Sequence, residues 1–196
     1  MRARWIRTEL LPILVTVFLF TAARSSLADH YYVPSGSMEP TLVAGDRVFV
    51  DKTAYGLRIP FTTIDVIGAA IPARGDVVVF DSPADGKLLI KRVVAVGGDV
   101  VSLVGGRLTI NGQPLADRAT GGEQFGDKHI QLNLADGGGP NINQLRVPEG
   151  QLLILGDHRG NSFDGRFFGL VDAREIYGRA VAVFYRTGAG FGWRHL

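Results

Sequence analysis

Three patterns of apolar and polar positions follow one another along the chain. The first is an apolar run from Leu10 to Ala23, preceded by Arg2, Arg4 and Arg7 and closed by Arg24. The second begins at Arg47 and consists of short apolar runs separated by turn residues. Arg47–Val50, Val77–Phe80, Lys87–Val96, Val100–Val104 and Arg107–Ile110 have strand length and are rich in β-branched residues. Ser82–Gly86, Gly97–Asp99, Gly105–Gly106 and Asn111–Gly112 punctuate them as turns. This order predicts a meander of antiparallel strands, with Asp51–Arg74, broken by Pro60 and Pro72, as an excursion from the sheet.

The third pattern, residues 117–145, is polar and glycine-rich. Gly121-Gly122 and Gly137-Gly138-Gly139-Pro140 flank a short polar strand, Lys128–Leu134. It is expected as an inserted β-ribbon or mobile lobe with little core of its own. The β pattern resumes at Leu145–Val147 and Gln151–Leu155. A polar loop, Gly156–Gly169, and a helical turn at Arg174–Tyr177 precede a last strand, Gly178–Arg186. The tail, Gly188–Leu196, is expected either to be disordered or to touch a membrane through Phe191 and Trp193. The fold class is therefore mainly β: an antiparallel β-sheet domain (29–196) with a β-ribbon insertion, preceded by a basic N-terminus and an apolar segment (1–28) that is either a signal peptide or one N-terminal transmembrane helix.

Two readings of the first run compete. One is a cleaved signal peptide, for which Ser26-Leu27-Ala28 has the small-x-small form of a cleavage site. The other is a retained anchor from Trp5 to Leu27, with Arg24 reaching back to the interface and Trp5 in the interfacial aromatic position. In both, the basic end stays in the cytoplasm and everything after about residue 28 lies outside.

Composition narrows the chemistry. Among 196 residues there is no cysteine, which excludes disulfides, thiolate catalysis and cysteine-ligated metal. A net charge of +2 without a Lys/Arg block gives no sign of nucleic-acid binding. His30, His129 and His195 are scattered and show no metal-ligand spacing.

Three stretches carry candidate chemistry. Pro34-Ser35-Gly36-Ser37-Met38-Glu39-Pro40-Thr41 is a shaped turn that presents hydroxyls. Lys91 and Arg92 follow each other on a predicted strand, so they face opposite ways, and sequence leaves open which is buried. A lysine near its reference pKa is only roughly 0.4% neutral at pH 8, so a lysine base needs burial to free its lone pair. Arg92 stays protonated and cannot serve. A neutral Lys91 beside Ser37 would form a Ser–Lys dyad. The third stretch, Gly156–Arg166, places charges and hydroxyls in one loop. Asp157-His158 tempts a Ser-His-Asp triad, but adjacent side chains on an extended segment face apart.

Together these stretches resemble bacterial type I signal peptidases, over about residues 10–186 and in the family's order. Arg74-Gly75-Asp76-Val77-Val78-Val79-Phe80, Ile90-Lys91-Arg92-Val93-Val94 and Asp51-Lys52-Thr53-Ala54-Tyr55-Gly56 add to the match. The resemblance implies a membrane-anchored serine endopeptidase that removes signal peptides from preproteins after a small-x-small site. It implies a retained single-pass anchor in the cytoplasmic membrane, a catalytic domain on the outer side, and no metal or cofactor. Ser37 matches the nucleophile and Lys91 the general base. Ser35 joins the Ser37 N–H in the oxyanion hole, and Ser162 orients the lysine amine. Asp157, Arg159, Asp164 and Arg166 match supporting charged positions. Val33, Met38, Leu42, Leu89 and Ile90 are candidate walls of the substrate pocket. Two departures stand out: His158 where asparagine is usual, and Gly160 in place of a common aspartate, which removes an ion pair expected near Arg159. Two other readings remain: a related peptidase dedicated to one secreted or conjugative substrate, and a non-catalytic anchored β module.

Overall fold

The computed structural model describes residues 9–58, 65–67, 70–117 and 121–196. Helix α1 (Leu11–Ser26) leads into β1 (Ala28–Tyr32), β2 (Arg47–Asp51), β3 (Leu57–Arg58), β4 (Asp65–Ile67) and β5 (Val77–Asp81). There follow β6 (Leu88–Val96), β7 (Val100–Val104), β8 (Arg107–Ile110), β9 (Gln113–Pro114), β10 (Glu123–Phe125), β11 (Lys128–Ile130) and β12 (Ile142–Arg146). The chain ends with β13 (Gln151–Leu155), the short helix α2 (Gly165–Phe168), β14 (Val171–Asp172), β15 (Ile176–Arg186) and β16 (Gly190–His195). An eight-stranded sheet runs β1-β2-β15-β5-β6-β13-β14, with β16 also on β15. A four-stranded sheet runs β12-β7-β8-β9, and every named strand pair is antiparallel. The mainly β, antiparallel expectation therefore holds, but the expected meander does not: β2 pairs with β15 and β6 with β13, because the main sheet is assembled from strands far apart in sequence.

Burial follows the sequence pattern. β2 and β7 alternate buried and half-exposed positions, as strands with one wet face do. Val77–Phe80 of β5 and Leu152–Leu155 of β13 are buried without interruption, because apolar side chains cover both faces. Between β5 and β13 lies β6, a central strand. That position buries both Lys91, 3% exposed, and Arg92, 2% exposed, where the sequence offered a choice of one. The β7–β8 turn uses Gly105 (φ +56°) and Gly106 (φ +80°), since a two-residue turn of this hand needs positive φ at both positions.

The insertion departs from its expectation. It is not a lobe without a core: Phe125 and Ile130 are buried with Val101, Leu103, Leu108 and Leu155. Its strand ends at Ile130 rather than Leu134, and β12 starts at Ile142 and pairs with β7. Gly138 makes the docking possible, because a Cβ there would lie 2.1 Å from the Gly105 carbonyl carbon. The C-terminal tail is likewise not disordered: β16 pairs with β15 from Ala182 to Arg186.

Helix α1 presents large apolar side chains to its surroundings, with Leu11, Ile13, Leu14, Val15, Val17 and Phe18 all exposed. Among the described residues no helix is long and apolar enough to cross a membrane. Arg2, Arg4, Trp5 and Arg7 lie outside the described residues, as does Pro60.

Candidate active site

Ser37 sits in the loop between β1 and β2. The neck of that loop is closed by Val33 N–H to Asp46 O (2.9 Å) and Gly45 N–H to Val33 O (2.9 Å). Inside it Leu42 N–H donates to Met38 O (3.0 Å), and the Met38 and Leu42 side chains are fully buried beneath. Ser37 itself stays half-buried. Lys91 is delivered by register: β5 sets Val78 opposite Lys91, and β13 sets Leu155 opposite Arg92. The segment that follows Leu155 is thus laid beside both cations.

Lys91 Nζ lies 2.6 Å from Ser37 Oγ and 3.3 Å from the Ile90 carbonyl. A protonated amine donates to Ser37 Oγ, and a neutral one accepts the hydroxyl proton at the same distance. Burial lowers the Lys91 pKa to about 8, against the opposing pull of Asp164 and Asp157. Ser35 Oγ is 3.4 Å from Ser37 Oγ on the exposed side. The Ser37 amide has no hydrogen-bond acceptor among the described residues, which leaves it available to a ligand. A small cavity of about 50 Å³ opens beside the pair, walled by Val33, Ser35, Val79, Leu89 and Ile90. Met38 and Leu42, expected as walls, instead belong to the buried cluster that holds the loop.

Arg92 and Asp157 form a buried bidentate pair, Nε–Oδ1 2.8 Å and Nη2–Oδ2 2.6 Å. Thr41 Oγ1 donates to Asp157 Oδ2 (2.6 Å), and Arg92 Nη1 donates to Gly75 O (2.7 Å), so the serine loop is tied to this pair. Asp164 accepts from Gly156 N–H (2.9 Å) and pairs with Arg166 (2.8 Å), which reaches Gly138 O (2.7 Å) in the insertion. Gly156 is a close-approach residue: a Cβ there would sit 2.3 Å from Ser162 Oγ and 2.4 Å from Ser37 O. Ser162, expected to bond the lysine amine, does not; its buried hydroxyl has no partner among the described residues. The Lys91 amine is turned instead toward Ser37 and Ile90.

The ion pair missing at Gly160 is replaced from elsewhere. Arg159, 1% exposed, pairs with fully buried Glu123 of β10, and also donates to Gly106 O and to Gly156 O (3.2 Å). An aspartate at 160 does not fit this chain, since even a Cβ would stand 2.2 Å from Asp136 O. Gly160→Asp is therefore expected to cost about 1–3 kcal/mol by overpacking. Thermal denaturation checks this, and a variant as stable as wild type would contradict the fit. Sequence reading missed Glu123, Thr41 and Arg92 as supports. Nothing in the sequence singles out Glu123, which shares the 117–145 tract with Asp117, Asp127 and Asp136. His158 does not form a triad: its ring contacts Gly36 O and Asp136 rather than Ser37 Oγ.

The profile described as "Signal peptidase, peptidase S26" matches residues 3–185. The chain is 35% identical over 194 residues to signal peptidase I of Pseudomonas fluorescens, covering 86% of this chain and 68% of that one. It is 35% identical over 179 residues to signal peptidase I of Leptolyngbya laminosa, covering 87% and 75%. A crystal structure of a signal peptidase I from Enterococcus faecalis V583 aligns with 56% of this chain and 97% of its own, at 26% identity and a TM-score of 0.43. With a profile spanning nearly its whole length and relatives covered over more than two thirds of theirs, this chain belongs to the peptidase S26 family of signal peptidases.

Proposed function

We propose that the protein is a type I signal peptidase that cleaves preproteins with a Ser37 nucleophile and a Lys91 base. One observation carries the mechanism: a buried amine, its pKa lowered to about 8, lies 2.6 Å from a serine hydroxyl that faces a small cavity. Neutral Lys91 takes the Ser37 proton as Ser37 Oγ attacks the scissile carbonyl. The Ser37 N–H and Ser35 hydroxyl stabilise the oxyanion. The Lys91 ammonium protonates the departing amine, and the freed base then activates the water that hydrolyses the acyl-enzyme. The shallow cavity suits alanine-sized side chains at the −1 and −3 positions. Asp157, Arg159, Asp164 and Arg166 hold the surrounding backbone.

The reading places the enzyme in the cytoplasmic membrane with its catalytic domain outside. α1 supports this: six large apolar side chains stand exposed along it, more than an isolated water-facing helix tolerates. Its 16 residues reach about 24 Å, so the anchor would also recruit residues before Leu11 to span the ~30 Å core.

The test is cleavage by the full chain in detergent of a preprotein with alanine at −1 and −3, with sequencing of the new N-terminus. Cleavage after the −1 residue, lost in Ser37→Ala, is expected. No cleavage of any preprotein would return the chain to a binding role. The pH profile adds a second check. kcat/KM should rise about tenfold per pH unit below pH 8 and level off above it, since only the neutral amine is a base. A rise that continues to pH 10 would mean an ordinary, unburied lysine.

A further inference from the structure

His158 is buried, and no step above uses it. Its Nδ1 lies 3.3 Å from the Gly36 carbonyl oxygen, and its Nε2 lies 2.8 Å from Asp136 Oδ2 of the insertion. The second contact lacks hydrogen-bond alignment and is an ion pair only when the ring is protonated. The backbone N–H of His158 donates to Ser37 O (3.1 Å). One residue thus holds the peptides on both sides of the nucleophile. Glu39 is the remaining charged neighbour, with Oε2 3.9 Å from Nδ1.

The Gly36 carbonyl and the Ser37 N–H belong to one planar peptide, so fixing the first direction fixes the second. A donor on that carbonyl also polarises the N–H on the far side. The insertion is docked on either side of His158: Asn133 N–H donates to Asp157 O (3.0 Å), and Asn133 O accepts from Arg159 N–H (3.1 Å). The turn from Leu134 to Gly137, closed by a 2.9 Å bond, then presents Asp136 to the ring.

We propose that His158, held by Asp136, is a positioning residue that aims the Ser37 N–H at the oxyanion, and that the insertion thereby acts on catalysis. This rests on the peptidase reading above. Asparagine at 158 retains a side-chain N–H for the Gly36 carbonyl; alanine does not.

The test measures kcat, KM and Tm of the full-length protein in detergent on a peptide with a small-x-small site. His158→Ala should lower kcat on the order of tenfold, less than the 10²–10³ seen when an oxyanion donor is removed outright. KM should stay within about twofold, because the oxyanion forms only after substrate binds. His158→Asn should recover most of kcat. Asp136→Ala, at a side chain 58% exposed, should lower kcat with Tm unchanged, and this decides the matter if His158→Ala fails to fold. The idea is overturned if His158→Ala and Asp136→Ala both keep kcat within twofold, or if losses merely follow the folded fraction. Wild type that cleaves while Ser37→Ala does not upholds the peptidase reading independently. Wild type that never cleaves removes that reading and this inference with it.

Discussion

Lys91→Ala is expected to lower kcat by about 10²–10⁴ while leaving the protein folded and no less stable at neutral pH. The serine hydroxyl is a weak nucleophile without a base, and the Ser37–Lys91 contact at 2.6 Å is the one hydrogen bond to a basic group recorded for it among the described residues. Ser37→Ala should cost more, on the order of 10⁶, and the double variant no more than Ser37→Ala alone, because the two groups act as a unit. Lys91→Arg should also be inactive: the cation is kept but the lone pair is never free. The stability half of the prediction follows from the sign of the pKa shift. In the folded state the amine titrates near 8 and in the unfolded state near 10.5, so between those pH values the unfolded chain holds the extra proton. Stability from this group therefore rises with pH across that window and is lowest below pH 8, by about 3 kcal/mol. Removing the amine relieves that cost, which offsets the cavity left behind. Kinetics with preprotein substrate and thermal melts at pH 7 and 10 check both halves. An active Lys91→Ala variant would mean that the base is another group.

Glu123→Ala is expected to destabilise the protein by about 3–5 kcal/mol, a fall in Tm of roughly 10 °C. The cost comes from Arg159, left charged and 1% exposed with only the Gly106 and Gly156 carbonyls to satisfy it. Glu123→Gln should cost less, because it keeps hydrogen bonding and loses only charge. Pairing Glu123→Leu with Arg159→Met should recover much of the loss, since two apolar groups leave no uncompensated ion. Differential scanning calorimetry of the three variants measures this, and a double variant as unstable as Glu123→Ala would point to packing rather than charge. Deleting residues 117–145 should therefore be as damaging as the point change.

These predictions draw on the chain's legibility to different degrees. Lys91 and Ser37 could be singled out as candidates because the cues are local: a turn of fixed shape, and an amine within an apolar strand. The partners of the charged loop were not. Arg159 was read with a missing partner at Gly160, and its counter-ion arrives instead from Glu123, 36 residues upstream. Met38 and Leu42 were assigned to the pocket by resemblance, but the loop turns their side chains into the core. Ser162 was read as a lysine ligand, and its hydroxyl packs against Gly156 instead.

By itself the sequence determined the strand segments and the hairpins between sequence neighbours, the apolar N-terminal run, and the residue types able to make a nucleophile and a base. Periodicity, turn glycines and side-chain chemistry are properties of short stretches, so a linear reading suffices for them. Tertiary structure decided the rest. It placed β6 in the middle of the sheet, which buries Lys91 and Arg92 together and lowers the amine's pKa. It also brought the polar insertion onto Gly105-Gly106 and Arg159-Gly160, where Glu123 meets the buried Arg159. Burial and ion pairing depend on which distant segments share a volume, and in this chain the groups that meet at Ser37 are 54 to 122 residues apart.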